Sequence, residues 1–225
     1  MSRLCNLWDS WSGEFNLIGK IWGNKYPENP EWQLSYLEKS VMSMLILIRT
    51  LSLSHLKGLA TKKETRTQIS EFYVIIWFGI LVLLLIFPFI STLYPMIIGY
   101  RLIEGFNYRL CIIFVDRYGE DWSLRSVNRS LMLLLINYFE MIIGFAAVYV
   151  WSGTIMSETN VINDIETALY FSIVTITTLG YGDYTPINEF GRFLVSLETI
   201  MGIVFIVLVL ATFISGIPKL ISKEK

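Results

Sequence analysis

The chain reads as an all-α membrane protein with four membrane helices per subunit, and three observations predict this. Its 225 residues are 54% apolar and only 16% charged, with positive mean hydropathy. Phe72–Ile90 and Arg192–Ile217 are apolar runs with at most two or three ionisable groups each, near or above the roughly 20 residues that a spanning helix needs. Leu131–Trp151 is a third such run, interrupted by Glu140. The net charge of −1, with no basic helix and no interleaving of aromatic and basic residues, argues against a nucleic-acid partner. Cys5 and Cys111 stand far apart in different contexts, which favours reduced or buried thiols over a disulfide framework. Asp9 and Glu14 interrupt the N-terminal residues before an apolar core forms. No cleavable signal is therefore expected, and the first membrane helix acts as its own insertion signal.

Residues 1–33 hold Trp8, Trp11, Trp22 and Trp32 among Pro, Gly, Asn and acidic residues. This predicts irregular backbone lying against an apolar surface. From Leu34 the apolar positions Leu37, Val41, Met44, Leu45, Ile48 and Leu51 follow a helical repeat. They predict an amphipathic helix at about 34–59, in the interface or against a partner helix, within a cytosolic region 1–71. His55, the single histidine, is read as structural or solvated. Thr61–Glu71 reads as a polar linker.

Phe72–Ile90 is a helix, and Pro88 and Pro95 bracket a tight reversal. Met96–Val115 then returns through the membrane or lies along the interface as a connector, because it carries Arg101, Glu104 and Arg109. Each such group costs roughly 2.5–3.5 kcal/mol at the bilayer centre. Arg101 and Glu104, three apart on one helical face, are expected to pair. A cytosolic linker, 116–130, follows.

Charge sets the topology. Ser152–Gly191 contains no Lys or Arg but holds Glu158, Asp164, Glu166, Asp183 and Glu189, which marks the outer face. Arg117, Arg125 and Arg129 on one flank and Lys219, Lys223 and Lys225 on the other mark the inside. Four spans with both termini cytoplasmic satisfy this pattern, with 218–225 as a cytosolic tail. The protein is expected to be multi-pass in the cell membrane. The sequon Asn128, Arg129, Ser130 is then cytosolic and a chance match.

On the outer face, Thr177, Thr178, Leu179, Gly180, Tyr181, Gly182, Asp183 combines two glycines and a threonine where bare backbone can line a hole. Carbonyl oxygens replace the water of a dehydrated ion only if successive peptide planes turn to one axis, which asks for unusual dihedrals at alternate residues. A GxG alone more often marks a loop or turn, and the context decides. Ahead of it, Asn163 followed by Glu166 is a helix-start signal. The helix 164–177 is too brief to cross a bilayer and must be re-entrant, with its carbonyl end favouring a cation.

With those residues, Leu131–Ser215 resembles the pore module of tetrameric potassium channels, most specifically over Ala168–Asp183. The resemblance implies a pore module at 131–217: outer helix 131–151, pore helix 164–177, filter 178–182 and inner helix 192–217. It implies a homotetrameric pore-loop channel in a lipid bilayer. Potassium ions are coordinated by the carbonyls of Thr178, Leu179, Gly180 and Tyr181, with Gly182 completing the filter and the Thr178 hydroxyl the innermost site. Each chain supplies a quarter of every ring, hence the fourfold symmetry. Tyr170 and Asp183 are expected to support the filter from behind. Leu179 departs from the commoner Val, removing β-branching from one filter residue. Gly202 stands where such channels often carry a hinge, although close packing explains a membrane glycine as well. Ile206, Leu210 and Ile214 form a candidate hydrophobic gate, with lipid contact or helix packing as the competing reading. Glu140 and Glu198, inside spans, call for hydrogen-bonded partners or protonation; Glu198 is a candidate brace for the pore helix.

No catalytic constellation competes, so an enzyme is not expected, and potassium is the implied ion. With Ile217 close to the last residue, no C-terminal ligand-binding domain is expected, and the residues name no regulatory partner. Two rivals remain: a pore-type subunit of a potassium uptake transporter, and a non-conducting membrane signalling subunit. The first normally needs several non-identical pore repeats in one chain; the second fits poorly with an intact Thr178–Asp183 run.

Overall fold

The computed structural model describes residues 2–23, 34–52, 63–87, 93–115, 127–157 and 161–221. In chain order these form α1 (Ser2–Trp22), α2 (Tyr36–Thr50), α3 (Lys63–Ile86), α4 (Leu93–Phe114), α5 (Val127–Ser152), β1 (Ile155–Met156), α6 (Ile165–Ile176), β2 (Thr185–Pro186) and α7 (Glu189–Ile221). The chain divides into two compact units, one of residues 1–73 and 103–124, the other of 74–102 and 125–225.

In the first unit, residues 2–22 are helical where the tryptophan-rich composition suggests irregular backbone. Composition misleads here because Leu17, Ile18 and Ile21 share one helical face, and they pack on a cluster of Met42, Leu45, Ile46, Cys111 and Val115. Trp22 Nε1 donates to Ser43 Oγ at 2.9 Å, and Arg49 pairs with Glu14 at 2.5 Å, so α1 and α2 are joined at two points. α2 starts at a capping box: Ser35 Oγ accepts from the Glu38 N–H, while Glu38 Oε2 accepts from the Ser35 N–H at 2.7 Å. Thr50 closes it earlier than the 59 suggested by periodicity, and 53–59, including His55, lie outside the described residues. Helix α3 begins at Lys63, so much of the expected polar linker is helical.

Arg101 and Glu104 of α4 each bond to residues outside their own helix. Glu104 accepts from Tyr73 Oη at 2.7 and 2.8 Å and from Ser52 Oγ. In the second unit Arg101 Nη2 donates to Glu140 Oε2 at 2.6 Å, with both side chains buried, and the Trp77 ring lies 5.7 Å from its guanidinium carbon. Pro95 sits in the first turn of α4, where a missing N–H costs nothing.

In the same unit α5, α6 and α7 pack together. Two described helices are long and apolar enough to cross a bilayer, Ser130–Ser152 (23 residues) and Glu189–Ile214 (26 residues). The apolar part of α3, Glu71–Ile86, is shorter, and α4 carries three ionisable groups; length and hydropathy alone thus mark two spans among the described residues, not four. Most of 116–130 and all of 222–225 lie outside the described residues.

Candidate functional site

The site is built around α6. Asp164, one residue beyond the Asn163 suggested by the sequence, is its N-cap, and its carboxylate accepts from the Thr167 N–H at 2.7 Å. That bond from the Thr167 backbone holds the Asp164 carboxyl below its ordinary range. With 12 residues, α6 rises about 18 Å, short of the roughly 30 Å hydrocarbon core. Thr177 caps its C-terminus.

Beyond the cap the chain does not coil freely. The N–H groups of Thr178, Leu179 and Gly180 donate back to α6, to Thr175 O at 2.9 Å and to Val174 O at 3.0 and 3.4 Å. Their donors are thereby turned toward the helix. Among the described residues, none of the carbonyls of 177–183 accepts a backbone hydrogen bond. Alternate residues take positive φ: Thr178 at 60°, Gly180 at 57° and Gly182 at 80°. Glycine reaches this region at no steric cost, whereas a β-branched threonine there is strained by about 1–3 kcal/mol. The threonine conformation was not legible from glycine spacing.

Asp183 closes the stretch. Its Oδ2 accepts from Tyr170 Oη on α6 at 2.8 Å, and this bond to the carboxylate raises the Tyr170 phenol above its ordinary value. The Tyr184 ring meets Tyr170 edge-on at 6.3 Å. After it, β2 pairs antiparallel with β1, Ile155 against Pro186 and Met156 against Thr185, and the Ile187 N–H donates to Thr154 O at 2.9 Å. Gly191 fits against this join: a Cβ there would lie 2.9 Å from Thr154 O. Asp164, Glu166, Asp183 and Glu189 are all exposed.

Behind α6, Glu198 of α7 has no exposed surface. Tyr149 Oη of α5 donates to its Oε2 at 2.5 Å, and Ser172 Oγ of α6 lies 2.5 Å from its Oε1. The partners of Glu198 are therefore Tyr149 and Ser172, neither of which carries a sequence signal for the role. Gly202 lies against the end of α6, where a Cβ would come 2.6 Å from Ile176 Cγ1 and 2.7 Å from Ile176 O. Ile206, Leu210 and Ile214 are exposed on α7, away from the α5 and α6 packing. Leu179 and Tyr181 are exposed as well. Glu140, the other carboxylate within an apolar run, is the partner of Arg101.

Comparison with known proteins bears on this same region. Residues 134–217 match the ion channel family. Over 40 residues the chain is 52% identical to the probable potassium channel protein 2 of Methanocaldococcus jannaschii, covering 18% of this chain and 12% of that protein. It is 29% identical over 99 residues to the potassium voltage-gated channel protein Shal of Drosophila melanogaster, 44% of this chain and 17% of that one. It is 33% identical over 94 residues to the human potassium voltage-gated channel subfamily A member 4, 42% of this chain and 14% of that one. The matched segments thus span less than a fifth of these relatives. No solved structure matches the chain significantly. With its apolar helices, the chain is a helical membrane protein. Residues 134–217 are similar to the pore module of potassium channels.

Proposed function

We propose that the protein is a potassium-selective channel in which four copies surround one axis and the Thr178–Gly182 backbone lines it. The observation that carries this reading is the alternation of left-handed residues at 178, 180 and 182 directly after a short capped helix. With the amides of 178–180 bonded to α6, their carbonyls are left to replace the hydration shell of a potassium ion. The carbonyls of Thr178, Leu179, Gly180 and Tyr181 provide successive sites, and repulsion between adjacent ions moves them on. Asp183 and the other exposed acids concentrate cations at the mouth. Tyr170 supports Asp183, and Ile206, Leu210 and Ile214 form a constriction where four α7 helices converge inside. Four spans per subunit, both termini cytoplasmic, keep the Lys-free segment 152–191 outside.

The test is potassium flux into liposomes containing the purified protein, with and without barium. Barium-sensitive flux, selective for potassium over sodium, is expected; its absence across all voltages and pH values refutes the channel. A cross-linking ladder that stops at two subunits refutes the tetramer, and labelling of a Ser91→Cys variant only from the inside refutes the four-span topology.

A further inference from the structure

Glu198 takes no part in coordinating ions, yet it is buried at the junction of the three helices that form the site. An apolar side chain of similar volume would pack there without desolvating a carboxyl, and such replacements are often neutral or stabilising. Stability alone therefore gives little reason for a carboxyl here. Direction does. Helix α6 is short, and the apolar side chains it buries, Ala168, Phe171, Val174 and Ile176 among them, make non-directional contacts, whereas a hydrogen bond fixes a direction. Ser172 lies two residues past Tyr170 and two before Val174, whose carbonyl holds the Leu179 and Gly180 amides. A turn or shift of α6 at Ser172 would thus be passed directly to the backbone of 178–180.

Donor counting sharpens the role. Ser172 Oγ lies 2.5 Å from Glu198 Oε1 and 3.0 Å from the Ile142 carbonyl oxygen. The hydroxyl has one proton, and a carbonyl only accepts. Every contact is satisfied when Ser172 donates to Ile142, the Glu198 carboxyl O–H donates to Ser172, and Tyr149 donates to the other Glu198 oxygen. This chain runs in one direction from α5 through α7 to α6 and back to α5. A glutamine can reproduce it, with its amide donating to Ser172 and its oxygen accepting from Tyr149.

We infer that Glu198 is a positioning residue for the filter, holding α6 at a fixed rotation between α5 and α7 and thereby setting ion selectivity. The inference rests on the channel reading. Its test uses the full chain in liposomes, comparing potassium with sodium flux for wild type, E198Q, E198A and S172A, with cross-linking to confirm that each assembles as wild type does. E198A and S172A each remove two buried hydrogen bonds, and a fall in the potassium-to-sodium ratio of about tenfold or more is expected for both. E198Q should stay within about twofold of wild type. S172A, a small change in volume, keeps the test decisive if E198A fails to assemble. An unchanged ratio in an assembled S172A or E198A variant overturns the inference while leaving the channel reading intact. So does an E198Q variant as impaired as S172A. If the wild type itself carries no barium-sensitive flux, the channel reading falls and this inference with it.

Discussion

Replacing Gly202 by alanine is the sharpest probe of how the inner helix meets the filter. The added Cβ would lie 2.6 Å from Ile176 Cγ1, 2.7 Å from Ile176 O and 3.4 Å from Ile176 C. Ordinary contact for a Cβ begins at 3.4 Å, so α7 must withdraw by about 0.7 Å or the end of α6 must move. The side-chain contact can be relieved by a rotamer change; the carbonyl cannot, because it belongs to the last turn of α6. Overpacking of this kind costs about 1–3 kcal/mol. Thermal unfolding of the detergent-solubilised protein should show a fall of several degrees, together with loss of selective flux, since Ile176 precedes Thr177 and Thr178. Adding Ile176→Ala should not restore G202A, because the obstructing oxygen stays in place. If G202A unfolds with wild-type stability but opens less readily, close packing is wrong and Gly202 acts as a hinge.

Other perturbations test separate parts of the fold. Arg101→Ala or Glu140→Ala leaves a buried charge without its partner and should each cost about 3–5 kcal/mol, read as lowered unfolding temperature; additivity in the double variant would refute a direct pair. Tyr170→Phe removes the donor to Asp183 and should speed the decay of potassium flux after potassium withdrawal; an unaltered decay would show that the bond does not steady the filter. The Asp164 carboxyl, depressed in the folded chain by the Thr167 N–H, stabilises α6 above its unfolded value of about 3.8. That contribution fades as pH falls through the lower folded value, so Asp164→Asn, which can still cap, should flatten the acid dependence of stability below about pH 4. Ser35→Ala breaks the capping box and should cost about 1 kcal/mol in the stability of the first unit; amide exchange at the start of α2 is the direct measure.

Local features were legible because their causes are local. Glycines at alternate positions, a polar cap before an apolar run and a Lys-free segment between two basic flanks act within a few residues of themselves, and they point to Thr178–Asp183 without a three-dimensional map. The start of α2 near Leu34 is legible from its apolar repeat, while its Ser35 cap appears only in the structure. Helix α1 was not: its tryptophans and glycines read as irregular until Ile21 and Leu17 find Met42 and Cys111 to pack against. The positive φ of Thr178 was equally hidden, because a β-branched residue enters that region only when neighbouring hydrogen bonds hold it there.

The sequence by itself determined that this is an apolar, helical chain with one stretch able to present bare backbone, since hydropathy and glycine conformational freedom are properties of the residues. Only the tertiary structure decided what the buried polar groups do. Arg101 bonds Glu140, 39 residues away, a partner that helical spacing does not announce; Glu198 finds Ser172 and Tyr149 at separations of 26 and 49 residues. The sequence leaves Gly202 between hinge and close packing; only the fold places it against the Ile176 carbonyl. Such pairings depend on how each helix is rotated in the packed bundle, and that rotation is set by all the contacts of the helix together.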